Sequence, residues 1–216
     1  MRKVTILLAA IFITSVSVAL QPGPQNTAFA SQSKVLYLTF DDGPSGLYTP
    51  QILDVLRREH VHATFFVLGY RCRDLPAIVR RMQREGHEVG SHGFDHRYLP
   101  GQPRRVVLSE VTMADTAISQ VTGHKPRYYR PTYGALDRSE IPMVNRLGHR
   151  VMYWSVDSLD WKATSADFVV RNVEGRARPG SIVLFHDGVS DSRYTVKALP
   201  TIIRYYKAHG YVFRTL

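Results

Sequence analysis

The sequence contains almost no cysteine: Cys72 is the single thiol among 216 residues. One thiol cannot form an internal disulfide, and it cannot build a cysteine-rich zinc or iron–sulfur site. Any metal site must therefore use the 9 histidines and the 18 acidic residues. Hydrophobic residues make up 44% of the chain and charged residues 21%. These values are close to globular averages, which excludes a disordered chain.

The chain also lacks runs of basic residues and internal repeats, and no low-complexity tract or linker follows Ser31. Its net charge of +10 is carried mostly by scattered arginines. That balance favours an anionic environment but does not indicate nucleic acid, so we expect no nucleic-acid partner. A chain of this length has room for one domain with a real hydrophobic core.

The first thirty residues differ from the rest of the chain. Arg2 and Lys3 precede an uncharged apolar stretch over 4–20, and Ala28-Phe29-Ala30 has the A-x-A pattern of a cleavage site. The pattern predicts a signal peptide over residues 1–30 and a secreted domain over 31–216, with an uncleaved membrane anchor as the alternative. Cleavage removes Arg2 and Lys3, which leaves a net charge of +8 and no stable membrane insertion.

After residue 31, short β-like runs alternate with amphipathic helical patterns, which is typical of parallel β/α units. Seven strands are predicted over 35–40, 63–68, 88–91, 127–130, 150–155, 181–185 and 211–214. Six helices are predicted over 50–59, 75–85, 104–122, 139–147, 166–177 and 196–209, the first with Thr49 as its N-cap. We expect a closed or nearly closed barrel, with an open doubly wound sheet as the alternative.

Five polar clusters follow the predicted strands. They are T-F-D-D-G-P over 39–44, S-H-G-F-D-H over 91–96, R-P-T-Y-G over 130–134, D-S-L-D-W over 157–161 and L-F-H-D over 184–187. In parallel β/α folds the carboxyl ends of the strands meet on one face, and that face carries the active site. The positions of the clusters therefore predict one functional site.

His92 and His96 are four residues apart, a spacing at which two imidazoles can reach one metal ion. Ordinary surface or core histidines are the alternative for such a pair alone. Gly93 stands where H-E-x-x-H has glutamate, which disfavours a zincin-type protease. Two histidines and one carboxylate form a catalytic zinc set that leaves a coordination position for water.

Asp41 and Asp42 are adjacent carboxylates between an apolar strand and Gly43-Pro44. A simple turn would explain the D-D-G-P sequence, but two carboxylates repel each other at a partly buried strand end, and a nearby cation would offset that cost. Adjacent side chains diverge, so one can bind metal while the other faces the reacting water. The pair is badly placed for a glycosidase, whose carboxyls flank the sugar.

His186 follows an apolar strand and is either a core or capping histidine or a general acid, because histidine titrates near neutrality. Asp160 would fix its tautomer if the loops meet, and Asp157 is the alternative partner. Arg130 is either a surface ion-pairing residue or the partner that orients a carboxylate.

Together the five clusters resemble the polysaccharide deacetylase family, the NodB-homology domain of carbohydrate esterase family four, from about Lys34 to the C-terminus. The resemblance implies a distorted (β/α)7 barrel that hydrolyses acetyl groups on glycans with Zn²⁺ or another divalent metal such as Co²⁺. It implies these roles: Asp42, His92 and His96 bind metal, Asp41 is the base, Arg130 holds Asp41, the Tyr133 N–H lines the oxyanion hole, His186 with Asp160 behind it is the acid, and Trp161 and Leu184 shape the acetyl pocket.

Two positions depart from the family pattern. Gly93 replaces a serine or threonine after the first metal histidine, which removes a hydroxyl that braces the loop, and Thr132 replaces a second proline, which we expect to loosen the turn that presents Tyr133. Neither change removes a predicted ligand or proton carrier.

The expected function is that of a secreted, wall-associated, metal-dependent N-deacetylase acting on an acetylated glycan that contains GlcNAc. Peptidoglycan is the first substrate, and chitin oligomers and acetylxylan are alternatives. A catalytically silent glycan-binding protein and a glycoside hydrolase are the rival functions. We expect a monomer.

Overall fold

The computed structural model describes residues 34–188 and 191–216. The predicted signal peptide over 1–30 lies outside the described residues. Within the described ranges, no helix is both long and apolar enough to cross a membrane.

The described chain alternates strands and helices. Its strands are β1 (Lys34–Asp41), β2 (Thr64–Val67), β3 (Glu88–Ser91), β4 (Tyr128–Tyr129), β5 (Arg150–Val151), β6 (Val156–Asp157), β7 (Ile182–His186) and β8 (Tyr211–Phe213). Its α-helices are α1 (Tyr48–Arg58), α2 (Gly69–Asp74), α3 (Pro76–Arg84), α4 (Arg104–Thr122), α5 (Glu140–Arg146), α6 (Ala166–Glu174) and α7 (Arg193–Ala208). Short 3₁₀ turns span Thr132–Gly134 and Asp160–Lys162.

The strand order confirms the predicted barrel topology. The strands run β5-β4-β3-β2-β1-β7-β6, all observed pairs are parallel, and β8 pairs with the start of β1. Each of β1 to β5 lies beside the next in sequence, and β7 returns to β1, as in a barrel rather than a doubly wound sheet. Among the described strands no pairing joins β5 to β6, so the barrel is distorted by an opening there.

The centre of the barrel is aromatic. Phe40 on β1 stacks on Phe65 of β2 with ring centroids 5.0 Å apart and on Phe185 of β7 at 5.5 Å, and all three rings are buried. Burying such a side chain contributes about 1.5–3 kcal/mol. The three central strands are therefore fixed against one another, which sets the positions of the residues at their ends.

The strand registers bring the predicted clusters to one face. Asp41 pairs with Phe66 on one side and with His186 on the other. Ser91, directly before His92, pairs with Tyr129, directly before Arg130. Because the pairs are parallel, the segments that follow them leave the sheet at the same edge.

Two local predictions were wrong, and one helix was missed. The strand predicted over 150–155 divides into the two-residue strands β5 and β6, and the segment between them is irregular. The helix α2 was not predicted, because its six residues are too few for a clear helical period. Thr49 is not an N-cap: α1 begins at Tyr48, and the Thr49 hydroxyl accepts from Ser45 N and donates to buried Asp187.

Candidate active site

A cleft of about 410 Å³ opens at the carboxyl ends of the strands. It is lined by Asp41, Asp42, His92, His96, Tyr133, Gly134, Trp154, Asp157, Trp161, Leu184 and His186. The two remaining predicted site residues, Arg130 and Asp160, are buried behind this lining, in contact with Asp41 and His186. The structure therefore brings every predicted site residue to one place.

The three predicted metal ligands converge on one point. Asp42 Oδ1 lies 3.2 Å from His92 Nε2 and 3.0 Å from His96 Nε2. The potential ligand atoms of the three residues all lie within 4.8 Å of one another. Asp42 and His96 both have positive φ angles, 71° and 65°, a conformation that non-glycine residues rarely adopt. These left-handed backbone conformations accompany the close approach of the Asp42 and His96 side chains.

Hydrogen bonding determines which nitrogen of His92 faces this point. His92 Nδ1 lies 2.7 Å from the Arg130 carbonyl oxygen, which can only accept, so Nδ1 carries the hydrogen and Nε2 of the neutral ring carries a lone pair. The buried Asp42 Oδ1 has no aligned hydrogen-bond donor among the described residues. A carboxylate oxygen and a nitrogen lone pair therefore face each other at 3.2 Å, an arrangement that a cation between them would stabilise.

The donor set fits a metal ion. Two imidazoles and one carboxylate are ligands that Zn²⁺ accepts, and three protein ligands leave a position open, as in catalytic sites. The electrostatic interactions within this cluster also fit a bound cation. Burial alone would lower the pKa of His92, but Asp41 and Asp42 raise it. Burial would raise the pKa of Asp42, but contacts with His92 and His96 hold it well below its usual range. The cluster thus attracts positive charge, either protons or a cation.

Asp41 is oriented by a buried ion pair. Arg130 Nη1 donates to Asp41 Oδ1 at 2.8 Å and to the Thr39 hydroxyl at 2.8 Å, and Nη2 donates to the Tyr153 carbonyl at 3.1 Å. The guanidinium is fully buried and lies over the Phe66 ring, 4.1 Å from its centroid. With Oδ1 held by Arg130, the second oxygen of Asp41 faces the metal-ligand cluster, 3.9 Å from His92 Nε2.

His186 is paired with Asp160. Asp160 Oδ1 lies 2.8 Å from His186 Nδ1, and Asp160 Oδ2 accepts from His186 N at 2.8 Å and from the Thr195 hydroxyl at 2.6 Å. Burial would lower the pKa of His186, but the negative charge of Asp160, with smaller contributions from Asp41 and Asp42, raises it to about 9. Asp160 thus favours the protonated form of His186, in which Nε2 can donate a hydrogen bond.

Asp157 does not take the place of Asp160. Its Oδ1 accepts from Leu159 N at 2.7 Å, and Leu159 has a positive φ of 57°. Asp157 therefore stabilises the strained turn that leads into Asp160 and Trp161, while a part of its side chain lines the cleft.

Tyr133, Trp161 and Leu184 form the outer wall and the floor of the cleft. Tyr133 has a φ of 58° and its side chain is 65% exposed, with its ring against the edge of His96 at a centroid distance of 4.6 Å. Among the described residues, no oxygen accepts the Tyr133 N–H. Trp161 is 54% exposed and Leu184 is buried at 4%. The cleft thus has an apolar floor and aromatic rings at its mouth.

The two departures from the family pattern have local explanations. Gly93 has a φ of +83°, and a Cβ atom there would lie 2.9 Å from Glu110 Oε1, so the space beside it is already filled. Thr132 donates from its hydroxyl to the Arg97 carbonyl, which ties its turn to the loop that carries His96. This hydrogen bond restrains the turn at the position where the family has a second proline.

Several residues of the site were missed. Trp154 was assigned to a strand but lines the cleft, and a Cβ at Gly134 would lie 2.8 Å from its ring. Thr195 reaches Asp160 from α7, and Thr39 braces Arg130. Trp154 and Thr195 lie outside the polar clusters, and Thr39 begins the first cluster but has no chemically distinctive side chain, so only the tertiary structure reveals their roles.

The barrel face therefore has the groups of a hydrolytic site: a metal-ligand set, a carboxylate held by arginine and a histidine held by aspartate. The chain belongs to the polysaccharide deacetylase family, because residues 30–152 match the family model described as Polysaccharide deacetylase.

Two curated relatives illustrate the range of the family. Over 187 residues the chain is 40% identical to the peptidoglycan-N-acetylglucosamine deacetylase of Listeria monocytogenes, covering 87% of this chain and 39% of the relative. Over 192 residues it is 38% identical to a chitooligosaccharide deacetylase of Sinorhizobium fredii, covering 84% of this chain and 89% of the relative. The chain thus spans about two fifths of the length of the Listeria protein.

Solved structures share the fold. A peptidoglycan N-acetylglucosamine deacetylase in complex with a naphthalenyl-benzamide derivative superposes with a TM-score of 0.83 at 35% identity, covering 86% of this chain and 87% of that chain. A pseudoenzyme of the same carbohydrate esterase family from Bacillus anthracis superposes with a TM-score of 0.80 at 25% identity, covering 86% and 64%. Because a pseudoenzyme also has this fold, activity must be argued from the site residues.

Proposed function

We propose that this chain is a secreted, metal-dependent N-deacetylase that removes acetyl groups from GlcNAc-containing glycan, with peptidoglycan as the first substrate. The observation that carries the proposal is the orphaned Asp42 Oδ1 facing His92 and His96 in the same cleft as His186, which is paired with Asp160. Relatives named as deacetylases of peptidoglycan and of chitooligosaccharide support the reaction type.

Asp42, His92 and His96 are the residues that would hold the metal. Zn²⁺ or another divalent cation such as Co²⁺, when bound, supplies Lewis acidity toward the amide carbonyl and makes water more acidic. The roles of these residues remain predictions that metal analysis of variants tests.

The proton transfers are assigned to two residues at the ends of the neighbouring strands β1 and β7. The free oxygen of Asp41 takes a proton from the attacking water, and Arg130 keeps Asp41 in position for this. As the carbonyl carbon gains an oxygen, the Tyr133 N–H donates to the developing oxyanion, an interaction typically worth about 3–4 kcal/mol in the transition state. The C–N bond then breaks while His186 Nε2 donates its proton to the sugar nitrogen, which leaves as an amine, and acetate is released.

Selection of the acetyl group is assigned to the apolar floor of the cleft. Leu184 lies two residues before His186 on β7, and both line the cleft with Trp161. A methyl group fits this apolar floor, while the sugar ring stacks on the exposed Trp161 side chain. Leu184 and Trp161 are therefore the proposed acetyl-binding residues.

The substrate class follows from charge and from the relatives. The net charge of +10, or +8 after removal of residues 1–30, suits the anionic wall in which peptidoglycan lies. Secretion and action as a monomer belong to the same proposal. A chitin-like oligomer is the second candidate, since the chain is also similar to the chitooligosaccharide deacetylase of Sinorhizobium fredii.

An acetate-release assay with a panel of glycans tests the proposal. Peptidoglycan, chitin oligomers and acetylxylan are incubated with the full chain, with and without a chelator, and both acetate and new reducing ends are measured. We expect acetate from peptidoglycan, loss of activity with chelator, and recovery on addition of Zn²⁺. Reducing ends without acetate would identify a glycoside hydrolase, and glycan binding without either product would identify a silent relative.

A further inference from the structure

The segment that carries both candidate metal histidines is a loop rather than a regular element. It begins at His92, immediately after β3, and includes positive φ angles at Gly93 and His96. Two of its carbonyl groups are held from one side, since Gly69 N donates to Gly93 O at 2.9 Å and Tyr70 N donates to Phe94 O at 3.1 Å. The start of α2 therefore anchors the middle of the loop.

A single carboxylate oxygen holds the loop from the other side. Glu110 on α4 is 5% exposed, and its Oε1 accepts from Phe94 N at 2.7 Å and from Asp95 N at 2.8 Å. Hydrogen bonds to an ionised acceptor are stronger than neutral ones, and a buried carboxylate without them would be costly. Glu110 thus binds the backbone N–H groups of Phe94 and Asp95, the two residues that directly precede His96.

Gly93 leaves the space that Glu110 Oε1 occupies beside the loop. A Cβ atom at Gly93 would lie 2.9 Å from Glu110 Oε1, closer than ordinary contacts allow, and the φ of +83° also disfavours a side chain. Glu110 can therefore approach the loop backbone only because residue 93 lacks a side chain. The two positions form one unit, although they are 17 positions apart in sequence.

We propose that Glu110 is a positioning residue for the metal centre, one that fixes the Phe94–Asp95 backbone and thereby aims His96 at the point shared with Asp42 and His92. The inference rests on the proposed metal site. His96 has to adopt a left-handed backbone conformation that a free loop would leave. With the N–H groups of the two preceding residues held, the His96 ring is oriented before the metal arrives, and less ordering is needed on binding.

The experiment measures Zn²⁺ affinity of the full chain by competition with a chromophoric chelator, in the parent and in Glu110→Ala, Glu110→Gln and Glu110→Asp. Gln keeps an oxygen that can accept both N–H groups, whereas Ala removes the acceptor and Asp withdraws it by one methylene. Partners outside the ligand shell typically change metal affinity by about 10- to 100-fold, so we expect a loss of that size for Ala, a smaller loss for Asp, and affinity within about threefold for Gln.

Glu140→Ala is the matched control. Glu140 is also a buried glutamate, 3% exposed, whose side chain accepts from the backbone N–H of Asp137, outside the loop that carries His92 and His96. We expect this variant to lose thermal stability but to keep parental Zn²⁺ affinity. Equal losses of affinity in folded Glu140→Ala and Glu110→Ala would mean a general structural effect and would overturn the inference.

The outcomes separate this inference from the proposed function. A parent chain that binds no Zn²⁺ contradicts the metal site itself. A parent that binds Zn²⁺, with Glu110→Ala folded and binding equally well, overturns the role of Glu110 alone. If Glu110→Ala does not fold, the comparison of Gln with Asp decides, because equal affinities in those two variants also overturn it.

Discussion

The two adjacent aspartates provide the most discriminating test of the site. Asp41 Oδ1 is held by Arg130 at 2.8 Å, whereas Asp42 Oδ1 faces His92 and His96 at 3.2 and 3.0 Å. The substitutions are Asp41→Asn, which keeps the shape but cannot take a proton, and Asp42→Ala, which removes one of three predicted ligands. We expect the first to keep metal and lose turnover, and the second to lose metal.

The magnitudes follow from these contacts. Loss of a general base lowers turnover on the order of 10²-fold or more, which corresponds to about 2.7 kcal/mol or more of transition-state stabilisation. Asn still offers an oxygen to Arg130, whose other acceptors include Thr39 and Tyr153, so the unfolding free energy falls by only about 1–2 kcal/mol. Asp41→Ala leaves the buried guanidinium without its charge partner and costs about 3–5 kcal/mol.

Elemental analysis and the acetate assay are run on the same purified proteins, with urea unfolding in chelator as the stability measurement. Asp157→Asn is the matched control, because Asp157 lines the same cleft but its Oδ1 accepts only from Leu159 N, a bond that Asn retains. We expect activity within about threefold of the parent for this control.

Two results refute the assignment. If Asp41→Asn arrives without metal while Asp42→Ala keeps it, the roles of the two aspartates are reversed. If both variants, together with His92→Ala and His96→Ala, hold full metal and release acetate normally, the metal site lies elsewhere and the proposed mechanism is wrong.

The remaining predictions concern the acid and the N-terminus. His186→Ala is expected to lower kcat on the order of 10²-fold with little change in KM, because the proton is donated only as the C–N bond breaks. Turnover within about twofold of the parent would instead assign His186 a structural role. N-terminal sequencing of protein recovered from the medium is expected to begin at Ser31 or within a residue or two, and recovery only from membranes with Met1 intact contradicts cleavage.

Much of the fold was predictable because the informative signals are local. The strand predicted over 88–91 matches β3. The helix predicted over 104–122 matches α4, since its apolar residues recur at helical spacing and Gly123, with a φ of 80°, forms its C-cap. The site was predictable for a related reason. Its chemically distinctive residues directly follow strands, and parallel strands deliver such residues to one face.

The rest depends on contacts between distant segments. Periodicity cannot divide 150–155 into two strands, because the division follows the opening of the barrel between β5 and β6. Glu110 and Thr195 reach the site from helices that contain no polar motif, and their partners lie 15 to 16 and 35 residues away. The choice between Asp157 and Asp160 likewise required the observed distances to His186 and Leu159.

The charges of the cleft link metal binding to the acid. Burial lowers the pKa of His186, but Asp160, Asp41 and Asp42 raise it to about 9, above its ordinary value of 6.5. A cation held by Asp42 offsets part of that negative charge, so Zn²⁺ lowers this pKa, and by linkage protonation of His186 weakens metal binding. Because the pKa of His186 is higher in the folded chain than its ordinary value, protonation of His186 stabilises the metal-free fold. This contribution is complete below about pH 6.5 and is lost as the pH rises through about 9. We therefore expect the NMR titration midpoint of His186 to fall on addition of Zn²⁺, toward the pH range where a general acid is most effective. Equal midpoints with and without Zn²⁺ would show that the ion and His186 do not share one electrostatic site.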